Sequence, residues 1–166
     1  MDDVLKVDVV TLFPGMLSGF LEESMMKRAA QAGLVEFNII NPRDFTTDKH
    51  NTTDDRPFGG GPGMVMKCEP LFATVESVQT PQSRVLLMTP AGTPFKQAAA
   101  RRLADDCNHL IIICGHYEGV DQRVVDARAE AASFGPGRPG EGVVDLAGAT
   151  VDGGVLHVEL CEDPAR

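Results

Sequence analysis

The sequence has no long apolar run and no basic leader. No stretch approaches the roughly 18 apolar residues that a membrane-spanning helix needs, and the first six residues lack the basic region and apolar core of a secretory signal. We therefore expect a cytoplasmic protein that does not engage a membrane. Its 166 residues, 43% of them hydrophobic, are enough for one ordinary core and too few for two comfortable domains.

Spacings typical of metal sites and of activated nucleophiles are also missing. The cysteines stand singly, without Cys-x-x-Cys pairing, and we expect buried thiols rather than ligands. The histidines show no metal-ligand spacing, and no serine lies in a nucleophile elbow. No metal site is predicted from these residues, which are Cys68, Cys107, Cys114, Cys161, His50, His109, His116 and His157.

Positive charge is scarce, since the formal net charge is −9. Residues 1–126 contain 12 lysines and arginines against 17 acidic residues, and residues 127–166 contain 3 against 7. Affinity for phosphates comes largely from lysine and arginine, which release counterions when they bind. The charge balance therefore argues against a simple nucleic-acid-binding surface.

Apolar segments of strand and helix length alternate along the first 126 residues. The segment His109 to Cys114 is almost entirely apolar, as a strand in a sheet covered on both faces must be, and His109 at its start is expected to be structural. We predict an α/β domain with a mainly parallel sheet, helices on both faces and ligands beyond the carboxyl ends of the strands. Strands are predicted at 6–13, 34–40, 84–88 and 109–114, and helices at 22–32, 70–78 and 95–105.

The last forty residues differ in character, so we divide the chain into a domain over residues 1–126 and an atypical tail over 127–166. The tail contains seven glycines, and its stretch from residue 135 to 140 resembles a linker. We expect weak order around residues 133–142. Val143 to Leu146 and Val155 to Leu160 are possible strands.

The first chemical motif is Cys114-Gly115-His116-Tyr117-Glu118-Gly119-Val120-Asp121, directly after the apolar strand. Its glycines let the backbone approach a ligand closely, while Tyr117 offers a ring face and Glu118 an acceptor for a ribose or purine. The alternative is a tight turn into a helix, with Glu118 and Asp121 favouring the helix N-terminus. From these residues alone, both interpretations stay open.

The second motif, Leu87-Met88-Thr89-Pro90-Ala91-Gly92, follows another predicted strand. Proline fixes the backbone and removes a donor, so we expect the strand to end and splay open here. Alone the motif is weak. Beside the first motif it would form one wall of the same crevice.

The third motif is the long segment from Arg43 to Met64, which we call the glycine-rich loop. It has no helical or strand period and is longer than most connections. Basic residues interleaved with Phe45 and Phe58 suit phosphate contact and base stacking, although the Gly-Lys-Ser/Thr ending of a P-loop is absent. Alternatively, the four aspartates of the loop pair its basic residues, giving local order without a ligand.

In this order and spacing, four segments resemble the bacterial tRNA (guanine-N1)-methyltransferase family over roughly residues 5 to 126. They are Val10-Thr11-Leu12-Phe13-Pro14, Asn41-Pro42-Arg43-Asp44-Phe45, the run from Asp54 through Arg56-Pro57-Phe58 to Gly63-Met64, and Cys114-Gly115-His116-Tyr117-Glu118-Gly119. The combination is very specific and covers about three quarters of the chain.

The resemblance implies a SPOUT-type domain with a trefoil knot and a homodimer that binds S-adenosylmethionine. It also implies methyl transfer to N1 of the guanine just 3′ of the anticodon in tRNA. Arg43 and His50 are then expected to contact the substrate, and Asp55 and Arg56 to be catalytic. The residues that the resemblance assigns to the cofactor are Met88, Thr89, Pro90, Gly92, Gly115, Tyr117, Glu118 and Gly119.

The tail does not follow the family, whose later segment closes the knot and completes the cofactor site. The nearest stretch is Leu146 to Leu156, which keeps paired glycines at Gly153 and Gly154. Under that alignment Arg166 takes the place of the family's catalytic arginine. The resemblance puts the family's general base and its C-terminal tRNA-gripping domain beyond the residues of this chain.

Three hypotheses follow. The first is a tRNA guanine methyltransferase by family. The second is an inactive or truncated relative that binds cofactor or RNA without turnover. The third is an unstable fragment, in which the edges of the apolar strand around Ile111 to Ile113 are left uncovered.

Overall fold

A computed structural model describes residues 4–128, 130–133, 149–152 and 155–158. Within these ranges, no helix has the length and apolar character needed to cross a membrane. The elements in chain order are β1 (Leu5–Val10), α1 (Pro14–Leu21), α2 (Ser24–Gln31), β2 (Val35–Ile40), a 3-10 turn (Pro42–Phe45), β3 (Asp54–Asp55), β4 (Val65–Met66), α3 (Cys68–Val78), β5 (Ser83–Pro94), α4 (Gln97–Asp106), β6 (His109–Cys114), α5 (Gln122–Arg128), β7 (Glu130–Ser133), β8 (Ala149–Asp152) and β9 (Val155–Val158).

Five strands form one parallel sheet in the order β2-β1-β6-β5-β7. The apolar strand β6 lies at its centre, paired with β1 on one side and β5 on the other. The predicted α/β architecture with a mainly parallel sheet is therefore confirmed. The expectation that Ile111 to Ile113 would be uncovered is wrong, because both strand edges are paired and Ile111 and Ile113 are fully buried.

Each face of the sheet carries its own core, because successive side chains of a strand point to opposite faces. Ile111 and Ile113 pack with Leu71 of α3 and Val124 of α5 on one face. Leu110 and its neighbours pack with Leu103 of α4 on the other. Helices therefore cover both faces, and each fully buried aliphatic side chain stabilises the fold by about 1.5–3 kcal/mol.

The structure differs from the sequence prediction at two places, the start of helix α1 and the end of strand β5. No helix was predicted between the strand at 6–13 and the helix at 22–32, but Pro14 begins helix α1, where a proline without an N–H group costs nothing at the first helical position. Strand β5 was expected to end at Met88, but it continues to Pro94, because Thr93 and Pro94 pair with β7 again after the irregularity between Met88 and Thr93. Tertiary pairing thus restores the strand beyond Pro90.

The predicted loop and tail also contain regular structure. The glycine-rich loop includes the 3-10 turn and β3, which pairs antiparallel with β4. In the tail, β9 confirms the strand expected within 155–160, whereas β7 and β8 were not predicted. The possible strand 143–146 lies outside the described residues, as does the region of expected weak order apart from Ser133.

The cysteine prediction holds in part. Cys68 is buried, while Cys107 and Cys114 are half-buried. Cys161 lies outside the described residues. Groups of three or more histidine, cysteine or acidic side chains able to hold a metal ion are absent from the part of the chain that the structure describes.

Candidate functional site

The loops after β5 and β6 leave the sheet side by side. Met88 of β5 pairs with Cys114 of β6, the last residue of that strand. On the other side of β5, Met88 and Thr93 are both aligned with Ala132 of β7. The four residues between Met88 and Thr93 therefore bulge out of the hydrogen-bonded ladder. The predicted Thr89–Gly92 loop is this bulge, and it lies at the carboxyl end of β6, where ligands of parallel sheets bind.

Gly115 is the point where the two loops meet. A methyl group added at Gly115 would lie 3.5 Å from the Met88 carbonyl oxygen and 3.4 Å from Val120 Cγ2. An alanine would make ordinary to tight contacts, whereas a large side chain would have to project into the space between the loops. The absence of a side chain at Gly115 therefore leaves open the space that its Cβ would fill between the end of β5 and Val120, and we call this place the crevice.

Two aromatic side chains, His116 and Tyr117, follow Gly115 in the loop after β6. The His116 ring meets Phe13 edge-on at 4.8 Å and Tyr117 edge-on at 4.7 Å between ring centroids. Tyr117 adopts a backbone φ of 60°, which is uncommon for a residue other than glycine. Its side chain is 40% exposed. The backbone thus presents the Tyr117 ring toward solvent beside the crevice.

The glycine-rich loop and the loop after β6 form one structure. The Glu118 N–H donates to the Met64 carbonyl at 3.0 Å, and the Met66 N–H donates to the Gly119 carbonyl at 2.9 Å. The Asp121 N–H donates back to Met66 at 3.0 Å. The structure therefore brings together the first and third motifs, although some fifty residues separate them in sequence.

A side-chain contact adds to these backbone bonds. The Tyr117 hydroxyl donates to Asp54 Oδ1 at 3.4 Å, a long hydrogen bond that reaches from the crevice to β3. Asp54 directly precedes Asp55 and Arg56, the two residues expected to be catalytic. The exposed side chains of Asp55 and Arg56 are thus connected to the crevice through the backbone of β3.

The aspartates of the glycine-rich loop order its backbone rather than neutralise its basic side chains. Asp48 accepts from the N–H groups of His50 and Thr52 and from the Thr52 hydroxyl, and the hydroxyl bond above all lowers the pKa of Asp48. Asp55 accepts from the Arg56 N–H at 2.7 Å. In the described part of the chain, no carboxylate of this loop forms an ion pair with Arg43, His50 or Arg56. The alternative of internal charge pairing is therefore not supported.

The expected site residues fall into three groups. One group lies at the end of β5 and in the loops that follow β5 and β6 at neighbouring strand ends: Met88, Thr89, Pro90, Gly92, Gly115, Tyr117, Glu118 and Gly119. A second group lies along the glycine-rich loop, where Arg43 is half-buried against Thr53 and His50, Asp55 and Arg56 are exposed. The third group, Gly153, Gly154 and Arg166, lies outside the described residues.

Sequence reasoning missed Arg123, on the first turn of α5. Its guanidinium donates two hydrogen bonds to Asp121, at 2.7 and 3.0 Å, and lies 5.9 Å from the centre of the exposed Phe58 ring. The bonds to Arg123 lower the pKa of Asp121, and the pKa of Arg123 is raised in turn. The Asp-x-Arg spacing at a helix start could have indicated the pair of Asp121 and Arg123 from the sequence. The proximity of Phe58 to Arg123 depends on the fold and has no such signal.

Burial sets the chemistry of the remaining groups around the sheet. It raises the pKa of the Cys114 thiol to about 11, so this cysteine is not a thiolate nucleophile at neutral pH.

His109 is structural, as expected, since it is buried near the amino end of the sheet between Asp8 and Ser83. A depression of about 500 Å³ beside α1, α2 and β2 is separated from β5 by strands β1 and β6.

The described residues form a parallel α/β domain with glycine-bearing loops at the carboxyl ends of two adjacent strands. Residues 5–136 match the family described as tRNA (Guanine-1)-methyltransferase TrmD. The chain belongs to this family.

Named relatives agree with this assignment. The chain is 49% identical over 132 residues to a tRNA (guanine-N(1)-)-methyltransferase of Dictyoglomus turgidum, covering 80% of this chain and 54% of the relative. It is 55% identical over 122 residues to the enzyme of that name from Geotalea uraniireducens, covering 72% of this chain and 49% of the relative. It is 52% identical over 136 residues to the enzyme of the same name from Thermomicrobium roseum, covering 79% of this chain and 50% of the relative. The chain spans about half the length of the curated relatives it matches.

Proposed function

We propose that this chain takes part in S-adenosylmethionine-dependent methyl transfer to N1 of the guanine just 3′ of the anticodon in tRNA. The single observation that carries the proposal is the crevice between the Met88–Gly92 bulge and Gly115, in a chain that belongs to a tRNA methyltransferase family. The crevice offers a cofactor site, and the glycine-rich loop joined to it offers a site for RNA.

The residues around the crevice fit S-adenosylmethionine, which supplies an activated methyl group when bound. Gly115 leaves room between two strand ends, and Tyr117 presents a ring face for an adenine. The Glu118 carboxylate is an acceptor for ribose hydroxyls. The full proposed set is Met88, Thr89, Pro90, Gly92, Gly115, Tyr117, Glu118 and Gly119, with Gly153 and Gly154 from the tail.

The glycine-rich loop fits an RNA substrate despite the net charge of −9. The charges that matter for RNA are those near the crevice, and Arg43, His50 and Arg56 are not neutralised by the aspartates around them. Arg43 and His50 would contact the nucleotide and its phosphates. The basic side chains of the loop thus offer phosphate contacts, although the loop also carries four aspartates.

Asp55 and Arg56 are proposed to act on the target guanine, together with Arg166. Guanine N1 carries a proton that must leave as the methyl group arrives, and a positioned proton acceptor lowers the barrier to that step. The resemblance does not assign this proton-acceptor role to Asp55; the Asp55 carboxylate is proposed to accept hydrogen bonds from the guanine, and the Arg56 guanidinium to stabilise the negative charge that develops on the base. Both side chains are exposed and able to meet a substrate.

The proposal extends to the assembly and location that the family resemblance implies. We propose a trefoil-knotted domain, a homodimer and a cytoplasmic location. Sedimentation equilibrium of the purified chain tests the dimer, which predicts twice the mass of 17.8 kDa.

Isothermal titration of the purified chain with S-adenosylmethionine and then S-adenosylhomocysteine tests the function. Micromolar binding is expected, followed by methyl incorporation into a tRNA transcript with a guanine 3′ of its anticodon. Binding without incorporation would identify a cofactor-binding relative that does not turn over. No binding to a cooperatively folded sample would overturn the proposal for this chain.

A further inference from the structure

Gly63 occupies a position that only glycine can fill without moving Glu118. Its φ is +82°, and a methyl group added there would overlap Glu118 Cγ and lie 2.8 Å from Oε1 and 2.9 Å from Cδ. The neighbouring glycines differ, because a methyl group at Gly59, Gly60 or Gly61 meets nothing within 4 Å. Gly63 is thus the member of this glycine run that touches the loop after β6.

Glu118 cannot relieve such a clash by shifting its backbone. Its N–H is bonded to the Met64 carbonyl, and the next residue, Gly119, accepts from Met66. A bridge between Met66 and Val120 holds the two segments in parallel register. The side chain could escape a methyl group at position 63 only by rotating about its own bonds, which moves the carboxylate.

We propose that Gly63 is a positioning residue: the space left by its missing side chain fixes where the Glu118 carboxylate stands. The inference rests on the proposed function, in which this carboxylate accepts hydrogen bonds from the ribose of an adenosine-containing cofactor. The glycine-rich loop, expected to face RNA, therefore also shapes the cofactor side of the crevice.

The test is titration of the Gly63→Ala variant with S-adenosylhomocysteine. Affinity is expected to fall roughly tenfold, the usual effect of losing a hydrogen bond to a charged group. The matched control is Gly33→Ala, because Gly33 has a similar φ of +71° and open space around it. The control carries the same backbone strain but leaves cofactor affinity unchanged. Equal affinities for the two variants would overturn the inference.

A double-mutant cycle then assigns the effect to Glu118. In a Glu118→Ala background, Gly63→Ala is expected to cause no further loss of affinity, since the side chain it displaces is gone. A further loss as large as in the wild-type background would overturn the proposed role.

Thermal melting of the same four proteins separates this inference from the proposed function. If the wild type binds no cofactor, the proposed function fails, but the clash still predicts that Gly63→Ala lowers the melting temperature less in the Glu118→Ala background than in the wild type. Equal shifts in both backgrounds would show that Gly63 does not act through Glu118.

Discussion

His109 Nε2 lies 2.7 Å from Asp8 Oδ2, with both side chains almost fully removed from solvent. The carboxylate can only accept, so Nε2 donates to it. Asp8 also accepts from the Asn38 amide at 3.0 Å, and the other ring nitrogen of His109 is 2.7 Å from Ser83 Oγ. This polar network ties β1, β2, β5 and β6 together on the side of the sheet away from the crevice.

The Asp8→Ala variant is expected to lose about 2–4 kcal/mol of unfolding free energy, because the buried His109 ring is then left without its acceptor. Urea denaturation at pH 7 measures the loss. The control is Glu36→Ala on the neighbouring strand, whose exposed side chain should change stability by no more than about 0.5 kcal/mol. Equal losses for the two variants would mean that the network is not stabilising.

Local pattern was sufficient to predict the central part of the fold. The run His109 to Cys114 has no polar alternation, and burial on both faces explains why it is the middle strand. The motif after it was also identified correctly as a place where strand ends and loops meet. Both features depend on neighbours in sequence, so they are visible without a structure.

Contacts between distant residues could not be predicted in the same way. The continuation of β5 past Pro90 depends on β7, about forty residues later, and the contact between Gly63 and Glu118 depends on two loops folding against each other. No local signal distinguishes Gly63 from Gly60. Helix α1 was missed because Pro14-Gly15 is compatible with a turn as well as with a helix start.

The Asp121–Arg123 pair predicts an acid-dependent stability. The hydrogen bonds from Arg123 lower the pKa of Asp121 in the folded state, so their contribution is present above the unfolded pKa and lost as pH falls through the folded value. The Asp121→Asn variant should melt roughly 1–4 °C lower at pH 7, a small effect because Arg123 is solvent-screened.

The difference between Asp121→Asn and wild type should shrink as pH is lowered from 4 toward 2, measured by melting curves across that range. Asp106→Asn, which changes an exposed carboxyl at the end of α4, is the control and should show no such pH dependence. A difference that stays constant down to pH 2 would contradict the assignment of the effect to the Asp121 charge.

The Cys114 thiol predicts an alkaline effect of the opposite direction. Its pKa is raised by burial from 9.0 to about 11, so the unfolded chain ionises first and stability falls as pH rises from about 9 to about 11. Wild type should lose roughly 2 kcal/mol more over this range than Cys114→Ala. Urea denaturation under reducing conditions measures both; parallel pH profiles would indicate a solvated thiol.

Gly115→Trp tests where the cofactor binds. A tryptophan at this position must project into the space between Met88 and Val120, so affinity for S-adenosylhomocysteine should fall more than about tenfold. Gly115→Ala is the control, since its methyl group makes ordinary contacts and should cost less than about threefold. If a folded Gly115→Trp protein keeps wild-type affinity, the cofactor binds elsewhere.

Arg56→Ala tests whether the glycine-rich loop meets RNA. Arg56 is exposed and unpaired with any described carboxylate, so its removal should leave the melting temperature within about 1 °C of wild type. Affinity for tRNA or turnover should fall roughly tenfold, because a guanidinium contact to a phosphate or base is lost. The matched control is Arg101→Ala, an exposed arginine on α4 outside the loop. If Arg56→Ala in an active preparation changes neither RNA affinity nor turnover, the loop serves the fold and the cofactor crevice alone.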